Sequence, residues 1–288
     1  MNPYADYHLH SDFSGDSDTP MESMIRAAIG RGMQELCFTE HLDLDYPGSP
    51  GYEDPLGTGL IIQDLGPDYF SLDIDAYREG FLAMKERFGD LIHLKFGVEI
   101  GLQPQVAKDN AAFVAAHPFD FVIASTHTVD HQDVYYKQFF EKRSLKESVL
   151  RFFEATLENL QVYEDFDVYG HLDYVIRYLP DPYAGRFTYD YADYAEVLDA
   201  ILTLLAKRDK GLDVNTSNRF KKGGDINPSL AILKRFKELG GRILTFGSDA
   251  HTPEALAGCF PEAVELVRRA GFTEYCTYSA RVPEFHRL

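Results

Sequence analysis

Nine side chains of this 288-residue chain share one chemistry and one placement relative to short apolar runs. His8 and His10 close the first run as HLH, and the i, i+2 spacing puts both imidazoles on one side of an extended chain. His41 follows the second run in FTEHLD, Glu99 ends the third in FGVEIG, His127 follows the fourth in IASTH, and His171 follows the fifth in YGHLD. The seventh closes on FGSDAH, where Asp249 and His251 repeat the chelate spacing, and Asp16 lies just beyond the first pair in HSDFSGDSD. Neutral imidazole and carboxylate are the ligand types of Zn²⁺, Mn²⁺ or Fe²⁺, and no Cys belongs to the group. Six His, two Asp and one Glu exceed what one tetrahedral ion can use. Two or three divalent ions are expected, with Glu99, alone at the end of a central strand, as a bridging carboxylate.

Each residue has a blander reading on its own. A strand-end His commonly caps a turn or sits hydrogen-bonded in a core, and Asp16, between Asp12 and Asp18, would serve as a solvated turn residue. Six of the ten histidines at one face favour the metal pattern. His93, His117, His131 and His286 fall elsewhere and are assigned to packing or surface. Basic residues are scarce, and a few follow strands at the same face: Arg177 in HLDYVIRY, and Arg219, Lys221 and Lys222 in NTSNRFKKGG. A guanidinium grips phosphate oxygens through parallel hydrogen bonds, so Arg177 and Arg219 are candidate substrate-binding groups. The alternative is a solvated loop. No P-loop, no dinucleotide fingerprint and no nucleophile elbow is present.

Such a constellation needs elements that bring distant residues together. Strand candidates are Tyr4 to His8, Glu35 to Thr39, Leu91 to Ile100, Phe119 to Ser125, Val168 to Gly170, Leu212 to Asn215, Ile243 to Gly247 and Tyr275 to Ser279. Between them, period 3.6 predicts helices over Met21 to Arg31, Ile74 to Phe88, Pro104 to Ala116, Leu145 to Tyr163, Tyr191 to Arg208, Pro228 to Leu239 and Pro261 to Ala270. Seven or eight βα units fit a closed parallel barrel in a single domain over residues 1–288, with a doubly wound open sheet as the alternative. In a barrel all the carboxyl ends meet around one mouth. The segment Leu42 to Asp73, rich in Pro, Gly and Asp, breaks the rhythm and is expected to be a functional or mobile loop.

Composition limits the partners. With 28 Lys plus Arg against 46 Asp plus Glu, the formal charge is −18, which disfavours nucleic-acid polymers and anionic membranes but leaves room for a small anion where the sign is locally reversed. The 45% hydrophobic and 14% aromatic content suffices for a substantial core. Cys37, Cys259 and Cys276, an odd number without a CxxC, suggest a reducing compartment. The N-terminal residues lack the pattern of a signal peptide and no run approaches a membrane span, so the cytoplasm is the expected location.

Taken in order, HLH (His8 to His10), EH (Glu40 to His41), GVE (Gly97 to Glu99), STH (Ser125 to His127), GHLD (Gly170 to Asp173) and SDAH (Ser248 to His251) resemble the PHP (polymerase and histidinol phosphatase) family, specifically its stand-alone histidinol-phosphate phosphatases. The likeness covers nearly the whole chain. It implies a distorted (β/α)7 barrel of TIM-like type with a trinuclear metal site. By that resemblance His8, His10, Glu99 and Asp249 hold one ion, Glu99, His127 and His171 neighbouring ones, and Asp16, His41 and His251 complete the set. In part of the family a histidine stands where this chain has Asp16; a harder carboxylate there shifts the preference toward Mn²⁺ or Fe²⁺.

The expected reaction is hydrolysis of a small phosphate monoester by metal-activated water, with Arg177 and Arg219 holding the phosphate and His251 or a metal-bound water protonating the leaving alcohol. Histidinol phosphate is the leading substrate, in histidine biosynthesis. The alternatives are a nucleotide, an oligonucleotide end or a phosphotyrosine peptide as substrate, and, in another class, a non-catalytic metal-binding module. Neither composition nor motif specifies an oligomeric state.

Overall fold

The computed structural model of the protein describes residues 5–47, 69–180, 190–220 and 224–288, with the backbone alone at 219 and 220. Strands β1 (Ala5–Asp6), β2 (Glu35–Leu42), β3 (His93–Gly101) and β4 (Phe121–Ser125) are neighbours in chain order. A short hairpin, β5 (Thr128–Val129) and β6 (Gln132–Asp133), follows, and β7 (Val168–Tyr169), β8 (Gly211–Asn215) and β9 (Leu244–Gly247) complete a seven-stranded parallel sheet. The first and last strands then meet. The Tyr7 N–H donates to the Phe246 carbonyl at 2.9 Å, the Asp249 N–H to His8 at 2.7 Å and the His10 N–H to Ala250 at 2.9 Å. The result is the near-closed (β/α)7 barrel expected from the sequence.

Helices α1 (Met21–Gly30), α2 (Ile74–Phe88), α3 (Ala107–Ala116), α4 (Gln138–Glu141), α5 (Leu145–Val162), α6 (Ala195–Lys207), α7 (Leu230–Glu238) and α8 (Phe260–Arg269) connect the strands. α5 shows why they form. Ser144 and Glu147 make a reciprocal capping box at its start, and Val149, Phe152, Phe153, Thr156 and Leu160 recur at helical spacing and are all buried. The N-cap alone contributes about 1 kcal/mol. Three helices start later than the pattern suggests. Pro104–Val106 and Tyr191–Tyr194 are 3₁₀ turns leading into α3 and α6, and Ser229, accepting from the Ile232 N–H, caps α7. Among the described residues no helix is long and apolar enough to cross a membrane.

One expected strand belongs elsewhere. β10 (Glu274–Ser279) pairs antiparallel with β11 (Val282–Arg287) in a separate hairpin, because β1 and β9 already close the ring. Its Cys276 and Tyr278 join Tyr7, Cys37, Phe121, Ile123, Val168 and Ile243 in an apolar plug at the amino ends of the strands. Successive residues of a strand alternate faces, so on β2 the inward series runs from Cys37 in the plug through Thr39 to His41 at the opposite end. The barrel interior is thus apolar at one end and polar at the other. Of the long segment after β2, residues 48–68 lie outside the described residues, and it rejoins at Phe70, whose carbonyl accepts from the Asp43 N–H at 3.0 Å.

Candidate functional site

At the carboxyl ends of the strands the nine candidate side chains converge. Glu99, at the end of β3, is fully buried and central: its Oε2 lies 2.9 Å from His8 Nε2, 3.3 Å from His41 Nδ1 and 3.6 Å from His10 Nε2. Its Oε1 faces His171 Nε2 at 3.1 Å and His127 Nε2 at 3.4 Å, and accepts from the Ser125 hydroxyl at 2.6 Å. Asp249 Oδ1 stands 3.6 Å from His10 Nε2 and 3.9 Å from His8 Nε2. Asp16 Oδ2 is 2.9 Å from His251 Nε2 and 3.6 Å from His41 Nε2.

Two glycines make room for this crowding. A Cβ on Gly170 would lie 2.2 Å from Ser125 Oγ, and one on Gly247 would lie 2.4 Å from His8 Cβ and 2.6 Å from Asp213 Oδ1. Backbone turns aim the remaining donors, since His171 (φ 23°) and Asp249 (φ 52°) both adopt the left-handed region just past a strand. Asp6 pins the loop carrying Asp249 and His251, accepting from the Ser248 N–H at 2.9 Å, the Ser248 hydroxyl at 2.5 Å and the Ala257 N–H at 3.0 Å.

The electrostatics call for added positive charge. Burial pushes the Glu99 carboxyl up, but the surrounding His8, His41, His127 and His171 outweigh it and hold the group well below the usual carboxylate range. Burial disfavours protonated His8, yet Glu99, Asp249 and Asp213 raise it well above an ordinary imidazole. His10 is pushed the other way, to about 3, by burial and by its neighbours His41 and His251. An imidazole between two carboxylates has one N–H in its neutral form, so either a proton or a metal cation must fill the second contact.

The cavity above this cluster holds about 330 Å³ and is lined by Asp16, His41, His127, His171, Asp249 and His251 on its floor, with Phe70, Asp133, Tyr174, Arg177, Tyr178 and Ser217 around them. A family model, the PHP domain, matches residues 6–217. The chain belongs to the PHP family. The histidinol-phosphatase of Lactococcus lactis subsp. lactis is 34% identical to this PHP chain over 275 residues, 95% of the chain and 94% of its own length. The probable histidinol-phosphatase of Clostridium acetobutylicum is 30% identical over 261 residues, 91% of each. A crystal structure of the Lactococcus histidinol phosphate phosphatase, complexed with zinc, L-histidinol and phosphate, matches with a TM-score of 0.83 over 97% of this chain and 98% of that one, at 31% identity.

A PHP chain takes divalent metal ions, and the donors here fit them. Buried His10 Nε2, His41 Nδ1, Asp43 Oδ2 and Asp213 Oδ1 have no hydrogen-bond partner among the described residues. Four overlapping groups keep their ligand atoms within 4.8 Å of one another: His8, His10 and Asp249; His8, Glu99 and His171; His10, His41 and His251; and His41, Asp43 and His127. Zn–N bonds of about 2.0–2.1 Å require donors nearly this close, so small inward shifts suffice.

His127 and His171 both face Glu99 Oε1, and His127 in addition groups with His41 and Asp43. Asp43, 2.8 Å from His127 Nδ1, was not among the expected residues, although its i, i+2 spacing from His41 repeats the signal of the HLH and DAH pairs. Asp213 on β8, 2.8 Å from His8 Nδ1, was also missed. Arg177 lines the cavity with its side chain only 2% exposed, and donates from Nε to Asn227 at 3.0 Å, from Nη1 to Asp249 at 2.9 Å and from Nη2 to Asn215 at 2.6 Å. The Arg219 side chain, Lys221 and Lys222 lie outside the described residues.

Proposed function

We propose that this chain is a metal-dependent histidinol-phosphate phosphatase, hydrolysing L-histidinol phosphate to L-histidinol and phosphate in histidine biosynthesis, as one PHP phosphoesterase domain spanning residues 1–288 and working in the cytoplasm. The observation that carries this reading is the Lactococcus enzyme, complexed with zinc and both products, whose structure this chain matches over 97% of its length. The acidic balance of −18 supports a small ester over a nucleic-acid polymer. Two unpaired buried cysteines, Cys37 and Cys276, suit a reducing compartment.

The reaction forms a bond from water oxygen to phosphorus, breaks the phosphorus–ester oxygen bond and delivers a proton to the alcohol. His8, His10, Asp16, His41, Asp43, Glu99, His127, His171, Asp249 and His251 would hold two or three divalent ions. Those ions, when bound, supply Lewis acidity that lowers the pKa of water toward roughly 7 and neutralises phosphoryl charge.

The protein's own task is positioning. A guanidinium has five N–H donors, and Arg177 commits three, so one N–H on each Nη is left to hold a non-bridging phosphate oxygen as charge redistributes. Asn215, Asn227 and Asp249 fix its plane in advance. Arg219, in the turn after β8, is the second clamp of this proposal. His251 Nδ1 faces the Asp249 carbonyl at 3.0 Å, so the nitrogen available to an ion or a substrate is Nε2, which here lies 2.9 Å from Asp16 Oδ2. That nitrogen serves as ligand or as proton donor to the leaving alcohol, never both at once. A His251→Asn variant with full metal content but lost activity assigns it as the acid; loss of metal assigns it as a ligand.

The test of the function is phosphate release from histidinol phosphate, a nucleotide 3′-phosphate and phosphotyrosine, before and after exhaustive chelation and with Mn²⁺, Zn²⁺ or Fe²⁺ restored. Histidinol phosphate is expected to give the highest kcat/KM, with activity lost on chelation. Full activity in metal-free protein, or no turnover of histidinol phosphate, overturns the reading.

A further inference from the structure

Three carboxylates line the cavity among the described residues: Asp16, Asp249 and Asp133. The first two face cations or candidate ligands, Asp16 against His251 and His41, Asp249 against Arg177, His8 and His10. Asp133, on β6, has only neutral hydrogen-bond partners, while of the charged groups around it His127 attracts and Asp43 repels its carboxylate. The Tyr46 hydroxyl donates to its Oδ2 at 2.6 Å and the Tyr135 N–H to its Oδ1 at 2.7 Å, and no Lys, Arg or His among the described residues forms an ion pair with it. It is 8% exposed. A buried carboxylate that makes no direct ion pair is costly, and each of its oxygens keeps a lone pair for a further donor.

Aromatic rings connect this carboxylate to the histidine cluster along two walls. On one, His41 packs against Phe70 at 5.2 Å between ring centroids, and Phe70 against Tyr46 at 4.7 Å. On the other, His171 stacks on Tyr174 at 4.5 Å, Tyr174 meets Tyr178 at 4.9 Å, and Tyr178 meets Tyr135 at 5.0 Å. Both walls end at a donor to Asp133. The hairpin register holds it there: Asp133 pairs with Thr128, next to His127, and the Val134 N–H donates to the His127 carbonyl at 3.1 Å. The slot is negative at its outer end and aromatic along its sides, which suits an organic cation attached a few bonds from a phosphate.

We infer that Asp133 sets the substrate specificity of this site, its carboxylate accepting hydrogen bonds from a cationic amine of the phosphoester held between Phe70 and the Tyr174 and Tyr178 rings. This deepens the proposed function and rests on the cavity being a phosphoesterase site. The ammonium of histidinol phosphate, on the carbon next to the ester CH₂, is such a group.

The experiment compares kcat/KM for histidinol phosphate with that for its deamino analogue, 3-(imidazol-4-yl)propyl phosphate, in the wild type and in Asp133→Asn, with metal content measured in both. Asparagine keeps the size and one acceptor but removes the charge. The wild type is expected to prefer the amine-bearing ester by at least about tenfold, and Asp133→Asn to erase that preference by raising KM for the amine-bearing ester alone. Equal loss on both esters, or a preference that survives the substitution, overturns the assignment. If the variant does not fold, the wild type decides: equal inhibition by histidinol and by the deamino alcohol overturns it, and tighter inhibition by histidinol supports it. A parallel pair, 2-aminoethyl phosphate against ethyl phosphate, tests amine selection independently of the imidazole. The function could therefore fail for histidinol phosphate while Asp133 still selects the amine, and the two failures are distinguishable.

Discussion

Asp213 illustrates how one side chain decides the chemistry of another. It faces His8 Nδ1 at 2.8 Å and accepts from Asn215 Nδ2 at 3.1 Å, so Nδ1 keeps its proton and Nε2 is the nitrogen whose lone pair an ion would take in place of the proton shared with Glu99. Asp213→Asn replaces an acceptor with a group that can donate, which stabilises the other tautomer and turns Nε2 into an N–H. The expected outcome is a ten- to hundredfold weaker metal affinity, about the usual cost of losing such a partner, measured by competition with a chromogenic chelator. Unchanged affinity would show that Asp213 does not orient His8. Residues of this kind resist sequence reading. His8, Glu99 and Asp249 announce themselves by standing at strand ends, whereas Asp213 lies inside the run GLDVN and gains its meaning from a histidine 205 positions away. Asp43 was open to the same spacing argument as His10; Asp133 was not, because nothing in the sequence marks the turn that aims it.

The β5–β6 hairpin carries Asp133 inward and is fastened from behind at its tip. Asp130, with φ 51°, receives Arg151 Nη2 at 2.8 Å and Arg143 Nη2 at 2.7 Å, which ties the turn to α5 and the residues before it. Partial burial pushes the Asp130 carboxyl up, but hydrogen bonds from Arg151 and then Arg143 outweigh this and depress it below its ordinary 3.8. A depressed carboxylate contributes stability that is present above pH 3.8 and is lost as pH falls through its lower folded value. Asp130→Asn, which tolerates the same left-handed backbone, is expected to destabilise the protein by about 1 kcal/mol at pH 7. That deficit should shrink steadily below pH 4, as read by urea unfolding across pH; a constant deficit would mean that the ion pairs carry none of it. At this scale the barrel strands were legible because each is a short apolar run ended by a turn. The hairpin was not, since two residues per strand leave no period to detect. β10 was legible as a strand but not as an outsider, because alternation does not reveal which edge a strand joins.

Over the whole molecule the candidate ligands act as a drawstring. They stand at or just beyond the ends of β1, β2, β3, β4, β7 and β9, six of the seven barrel strands, and β8 supplies Asp213. Where β1 meets β9 the barrel closes across a few backbone hydrogen bonds, whereas β2 and β3 share a register of eight residues. His8 and His10 stand on one side of that seam, Asp249 and His251 on the other, so an ion held by His8, His10 and Asp249 would bridge it. Removing the ions also leaves Glu99, Asp249, Asp43 and Asp213 crowded in an already acidic protein. Restoring a metal at a hundredfold excess over its Kd is expected to add about 2.7 kcal/mol per site. At about 2–4 °C per kcal/mol for a chain approaching this size, that raises Tm by roughly 5–10 °C for one site. The change should also be uneven. In chelated protein the Tyr7, His10 and Asp249 amides, which donate across the seam, should lose hydrogen-exchange protection before amides within the β2–β3 pairing. Uniform loss, or a Tm indifferent to metal, would mean that the barrel closes without its ions and that the cluster serves chemistry alone.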